Sequence, residues 1–142
     1  MSNEQAPNWF RTLVAVAVVW NLMGVAAYIM DVTMNEQALQ ALTDAERSLR
    51  NATPAWVTGA YAIAVFAGLA GAIALAARRT VAVPLFGISL VAVVVQMSYV
   101  FIAMNAGAVL GGTAMIFPAV IILIGVFLLW FSLHAKSKGW LR

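Results

Sequence analysis

The chain has no cysteine, a single histidine and only 9% charged residues. Without cysteine there are no disulfides, thiolate metal sites, iron–sulfur clusters or cysteine nucleophiles. One histidine excludes a two-histidine haem site, and no zinc motif, phosphate loop or nucleophile elbow can be assembled around it. His134 follows an apolar run and sits beside Lys136 and Lys138, the position of a helix C-terminal charge. Neither enzymatic activity nor a resident metal or cofactor is expected. The scarcity of charge also argues against a soluble domain, in which roughly 25% of residues are charged.

What the chain has in abundance is apolar sequence: 64% of its 142 residues are hydrophobic, and the mean hydropathy is +0.95. A hydrocarbon core of ~30 Å needs ~20 apolar residues per helix, so four spans would use ~80 positions. The first span is placed at about 9–30, with Trp9 and Phe10 as an interfacial belt and Asp31 at its end. Its charge-free run, 12–30, has no small-residue cleavage site and is expected to stay in the mature protein. Thr53-Pro54 reads as an N-cap followed by proline at the first helical position, opening a second span of about 55–77 that stops at Arg78-Arg79. Residues 80–133 carry no charge at all, and as one helix they would be ~80 Å long. That stretch must turn back once. Three glycines, Asn105 and Thr113 place the turn at 105–113 and the last two spans at about 81–104 and 114–133. The predicted fold is an all-α transmembrane four-helix bundle in one domain, 1–142.

Arg11, Arg78, Arg79, Lys136, Lys138 and Arg142 fall on one side of this arrangement. Arg47 and Arg50 fall on the other, in a loop at 32–52 that also holds Glu36, Asp44 and Glu46. The basic excess of 8 against 5 is thus a topology signal rather than a sign of nucleic-acid binding, and it puts both termini in the cytoplasm. In the outer loop, Thr33-x-x-Glu36 and Thr43-x-x-Glu46 are capping-box patterns, and Leu39, Leu42 and Leu49 recur near helical spacing. One or two short amphipathic helices are expected there, as a headgroup-level connector, a lid or a docking surface.

Polar residues inside the bilayer are costly, so function is sought among them first. Asn21, Tyr28 and Asp31 share a face of the first span with Ala17 and Gly24, and Ser89, Ala92, Gln96 and Tyr99 form a stripe on the third. Tyr61 on the second span stands near a small-residue run, Ala60, Ala64, Gly68 and Ala72. If the stripes converge, Asn21, Tyr28, Asp31, Tyr61, Gln96 and Tyr99 line an outward pocket for a small polar or neutral solute. The same residues have structural readings. Asn21 and Gln96 serve equally as interhelical hydrogen-bonding glue, and the small-residue run as a packing or oligomer seam. The tyrosines also suit interfacial anchors, and Asp31 a solvated helix end. Six methionines, Met23, Met30, Met34, Met97, Met104 and Met115, map to the outer half. Thioethers bind Cu(I), but these side chains lack a histidine partner or a Met-x-x-Met pair and read as fillers of apolar gaps.

Trp20-Asn21-Leu22-Met23-Gly24-Val25-Ala26-Ala27-Tyr28, Thr53-Pro54-Ala55-Trp56, Pro84-Leu85-Phe86 and Gly139-Trp140 resemble a family of small four-helix bacterial membrane proteins, some labelled automatically as sugar transporters. The resemblance implies a bacterial inner membrane and one four-helix domain; it brings no substrate or functional residues. The third span lacks the proline-glutamine hinge of small sugar-transporting bundles. Without an internal repeat, alternating access would require oligomerisation. Two readings follow from the residues: a homo-oligomeric transporter or channel-like binding protein for a small polar or neutral solute, or a non-transporting accessory or scaffold subunit of a larger membrane complex.

Overall fold

A segment that is apolar on every side must satisfy its backbone polar groups internally, and a helix does so within one segment. The computed structural model describes residues 5–142. Among them there is no strand. The helices are α1 (Asn8–Val32), α2 (Glu36–Ala41), α3 (Asp44–Ala52), α4 (Ala55–Ala76), α5 (Ala82–Ser98), α6 (Ala106–Leu110) and α7 (Ile116–Ser137). A π-helical turn, Tyr99–Ala103, prolongs α5, and a 3-10 turn, Gly112–Met115, leads into α7. Four of these units are long and apolar enough to cross a membrane: Asn8–Val32, Ala55–Ala76, Ala82–Ala103 and Gly112–Ser137. The protein is an all-α, multi-pass membrane protein whose spans form a four-helix bundle.

Local chemistry moves several boundaries from where the sequence places them. Thr53 does not cap α4. Its hydroxyl donates to the Leu49 carbonyl at 2.7 Å at the end of α3, and α4 starts at Ala55 with the extended Pro54 before it. Thr33 likewise does not open α2, because α1 runs on to Val32 and the Thr33 hydroxyl donates to Ile29 O at 2.6 Å. Asn35 caps α2 instead, its Oδ1 accepting from Ala38 N at 2.9 Å. Pro84 and Pro118 both fall in the first turn of a helix, where no intrahelical N–H is lost.

The Thr43 capping box does form. Glu46 N donates to Thr43 Oγ1 at 3.2 Å, while the Glu46 carboxylate accepts from Thr43 N at 2.8 Å. The backbone bond from Thr43, reinforced by that from its hydroxyl, holds the Glu46 carboxyl below its ordinary value of 4.5. A carboxyl depressed in the folded state stabilises the fold above its unfolded pKa, and that contribution disappears as pH falls through the lower folded value. The start of α3 is therefore expected to fray on acidification below about pH 4.5. Amide shifts of Thr43 and Glu46 followed by NMR should titrate together, and Glu46→Gln should abolish that titration.

The loop arginines act as internal ties. Arg47 Nη2 donates to Leu42 O at 3.2 Å and Gln40 O at 3.3 Å, closing the end of α2. Arg50 Nη1 meets Asp31 Oδ1 at 2.7 Å, and its Nη2 donates to the Asp31 carbonyl at 2.5 Å. The α2–α3 segment is thus fastened to the end of α1, and α3 also packs on α6.

Among the spans, α1 packs on α4, α4 on α5 and α5 on α7. The first and last spans meet through rings near the termini, with Trp9 at 6.0 Å and Phe10 at 5.7 Å from Phe131. The densest core lies at that end, around Phe10, Val14, Leu75, Phe86, Leu128 and Phe131. Arg78 adopts a left-handed conformation, φ 56°. Its carbonyl accepts from Arg142 N at 2.7 Å, while Thr80 N donates to Arg142 O at 2.9 Å. Trp140 and Leu141 are thereby buried beneath the bundle.

Candidate functional site

A close approach of three helices builds the floor of the site. Gly68 on α4 is buried, and the side chains of Asn21 on α1 and Ser89 on α5 crowd the place where its Cβ would stand. Such a Cβ would collide with Asn21 Oδ1 and come within 3.1 Å of Ser89 Oγ. Both side chains also hold backbone carbonyls. Asn21 Nδ2 donates to Ala17 O at 2.8 Å, and Ser89 Oγ donates to Ala64 O across the helix pair at 2.6 Å. Since a carbonyl can only accept, the first bond fixes which end of the Asn21 amide is nitrogen.

Above this floor lies a cavity of ≈ 230 Å³ to which all four spans contribute. Its lining is mostly apolar, including Gly24, Val65, Phe86, Val93 and Ile121; Asn21, Ser89, Tyr61 and the indole of Trp20 are its members with polar atoms. No charged residue lines it. Two of the lining residues, Met23 on α1 and Phe117 on α7, are 60% and 65% exposed. They belong to the two spans that come together only near the termini, so the cavity opens sideways between them.

The structure brings together some of the residues singled out by sequence and separates others. Asn21 and Tyr61 line the cavity. Tyr28 lies against Tyr61 with ring centroids 5.2 Å apart and packs edge-on to Phe66, but it is not part of the lining. Tyr99 pairs with Trp56 at 4.8 Å, outside the cavity. Asp31 is engaged by Arg50. Gln96 does not reach Asn21 as glue or as pocket wall; its buried Oε1 finds no hydrogen-bond partner among the described residues. The two stripes therefore meet only at Asn21 and Ser89, because α5 turns Ser89, Val93 and Met97 to the cavity rather than Gln96 and Tyr99. Of the small-residue run, Ala64, Gly68 and Ala72 are buried within one chain, with Ala60 partly so. That stripe packs the bundle and leaves those three no free face for a second copy.

Ser89 was visible in the sequence only as one member of a polar stripe. The parts of Trp20, Met97 and Gly125 in the lining had no signal in the sequence. Among the described residues no group of three or more His, Asp or Glu is placed to hold a metal ion. Met23 and Met97 both line the cavity, but as thioethers among apolar neighbours. Comparison with family models, with curated proteins and with solved structures finds no match.

Proposed function

We propose that this protein is a membrane carrier or channel-like binding protein that receives a small neutral solute in the cavity between its spans. The observation that carries the reading is the cavity itself, jointly walled by four helices that could have closed on one another. Few convergent polar groups in a mostly apolar lining are the usual composition of a small-molecule site. The same composition argues against a sugar, whose many hydroxyls would be left without partners. The resemblance to small bacterial four-helix proteins and the distribution of Lys and Arg support an inner-membrane location with both termini cytoplasmic. A cavity complete within one chain needs no second copy to bind solute, so homo-oligomerisation serves alternating access rather than recognition. The buried stripe of α4 weighs against the alternative, an accessory subunit docking through that seam.

A leucine at position 24 tests the reading. A Cβ on Gly24 would be 3.6 Å from Val65 Cγ1, an ordinary contact, so the fold accepts a side chain that fills cavity space. Native mass spectrometry of protein released from its own membranes should show a discrete small ligand on the wild type. Its occupancy should fall at least about tenfold in Gly24→Leu, a loss of ~1.4 kcal/mol or more in binding, with thermal stability retained. Equal occupancy in the two proteins, or another membrane protein attached in place of a ligand, would overturn it.

A further inference from the structure

The hydrogen-bond inventory of the cavity floor narrows the ligand class, on the premise that the cavity binds a solute. The Ser89 hydroxyl has one hydrogen, engaged with Ala64 O. The Asn21 amide nitrogen gives one of its two hydrogens to Ala17 O, which turns the nitrogen end of the amide away from Gly68 and its oxygen end toward it. What these side chains have left at their shared meeting point beside Gly68 is oxygen: Asn21 Oδ1 and the lone pairs of Ser89 Oγ. Two acceptors side by side in an apolar cavity select a hydrogen-bond donor and disfavour a carbonyl or ether oxygen, which would face them with lone pairs against lone pairs. With no carboxylate or cation in the lining, the donor must belong to an uncharged molecule, because an unpaired charge is too costly to bring there.

Size follows from volume. A cavity of ~150 Å³ accommodates benzene, so ≈ 230 Å³ suits one ring with a short substituent. Besides the Trp20 indole N–H, the Tyr61 hydroxyl is the other polar point of the lining, seven residues from Gly68 along α4, or ~10 Å. The rest of the ligand lies against apolar side chains between the two. Access follows from Met23 and Phe117, which line the cavity and are exposed between α1 and α7. On a four-span membrane protein this apolar gap faces lipid. At the other end, α2–α3 is tied across by Arg50 and Asp31.

We propose that the cavity takes a lipid-soluble, uncharged monohydroxy compound of phenol or small-alcohol type. It is drawn sideways from the bilayer between α1 and α7 and held by its hydroxyl, whose single hydrogen is shared between Asn21 Oδ1 and Ser89 Oγ.

The test is photolabelling of the full chain in lipid nanodiscs with a phenol carrying a para diazirine, beside the methyl ether of the same probe, which has no donor. The phenol is expected to label residues 20–27 and 117–128, to be competed by para-tert-butylphenol, and to exceed the ether by about tenfold. Ser89→Ala should reduce that preference about fivefold, the weight of one hydrogen bond. Ala27→Trp, at the rim beside Met23, should slow labelling without moving it. Equal labelling by phenol and ether would overturn donor selection while leaving the cavity a solute site. An unchanged rate in Ala27→Trp would overturn lateral access. Absence of labelling in both segments, with a lipid acyl chain found there instead, would overturn this proposal and the solute-binding reading together.

Discussion

Gly68→Leu is expected to destabilise the protein by about 3 kcal/mol or to prevent its folding, because overpacking alone costs ~1–3 kcal/mol and here a polar cluster must also be dismantled. The first atom of any side chain at this position already meets Asn21 Oδ1 and Ser89 Oγ. To make room, the Asn21 amide must rotate away from Ala17 O and Ser89 from Ala64 O, or α4 must back away from both neighbours. Gly68→Ala should show a smaller loss, since the Asn21 amide end has to swing aside while Ser89 Oγ, 3.1 Å from the new Cβ, has to give only slightly. Gly87 provides the control: a Cβ there meets nothing within 4 Å, so Gly87→Ala should be neutral or slightly stabilising. Thermal unfolding in a mild detergent separates these cases. A Gly68→Leu protein melting with the wild type would show that α1, α4 and α5 do not pack as described.

Trp140→Ala should cost a similar amount, about 3 kcal/mol, although the residue lies beyond the last span. Trp140 is 6% exposed and packs edge-on to Phe10 at 5.5 Å, Trp9 at 5.6 Å and His134 at 5.7 Å. Inside a bilayer, removing a buried ring loses packing but little transfer energy, because lipid is as apolar as the core. Trp140 follows Ser137, the end of α7, and its alternative environment is water and headgroups, so both contributions are lost with it. Phe131→Ala, within α7, should cost less for the converse reason. Trp140→Phe makes a sharper comparison. The buried Nε1 has no hydrogen-bond partner among the described residues, and removing an unsatisfied donor offsets part of the lost ring area. Tm in detergent should thus rank wild type near Trp140→Phe and well above Trp140→Ala. A Trp140→Phe protein as unstable as Trp140→Ala would mean that the indole N–H is paired.

The bundle was legible because its signals are long and one-dimensional: apolar runs bounded by Asp31, Pro54, Arg78-Arg79 and the lysines after His134. The Thr43 box was legible because its two bonds are local. Thr33 and Thr53 misled because a threonine at a helix junction can cap the next helix or bond back to the previous one, and here both bond back. The site was half legible. Asn21 and Tyr61 stood out as polar residues in apolar spans, but periodicity does not say which face of a helix turns inward when every face is apolar. Rotation of α5 is set by packing, with Phe86 against Gly71 and Ser89 against Gly68. That rotation takes Ser89 into the site and Gln96 out of it.

The order in which the spans pack follows the order in which the chain is made. Each of α4, α5 and α7 rests on the span synthesised before it, so helical hairpins can form one after another as the chain enters the bilayer, with few distant segments to bring together. The exception is the aromatic knot of Trp9, Phe10 and Phe131, which joins the first span to the last and cannot tie until α7 has arrived. During synthesis, then, the wall that α7 contributes to the cavity, Phe117, Ile121, Gly125 and Leu128, is the last to be put in place.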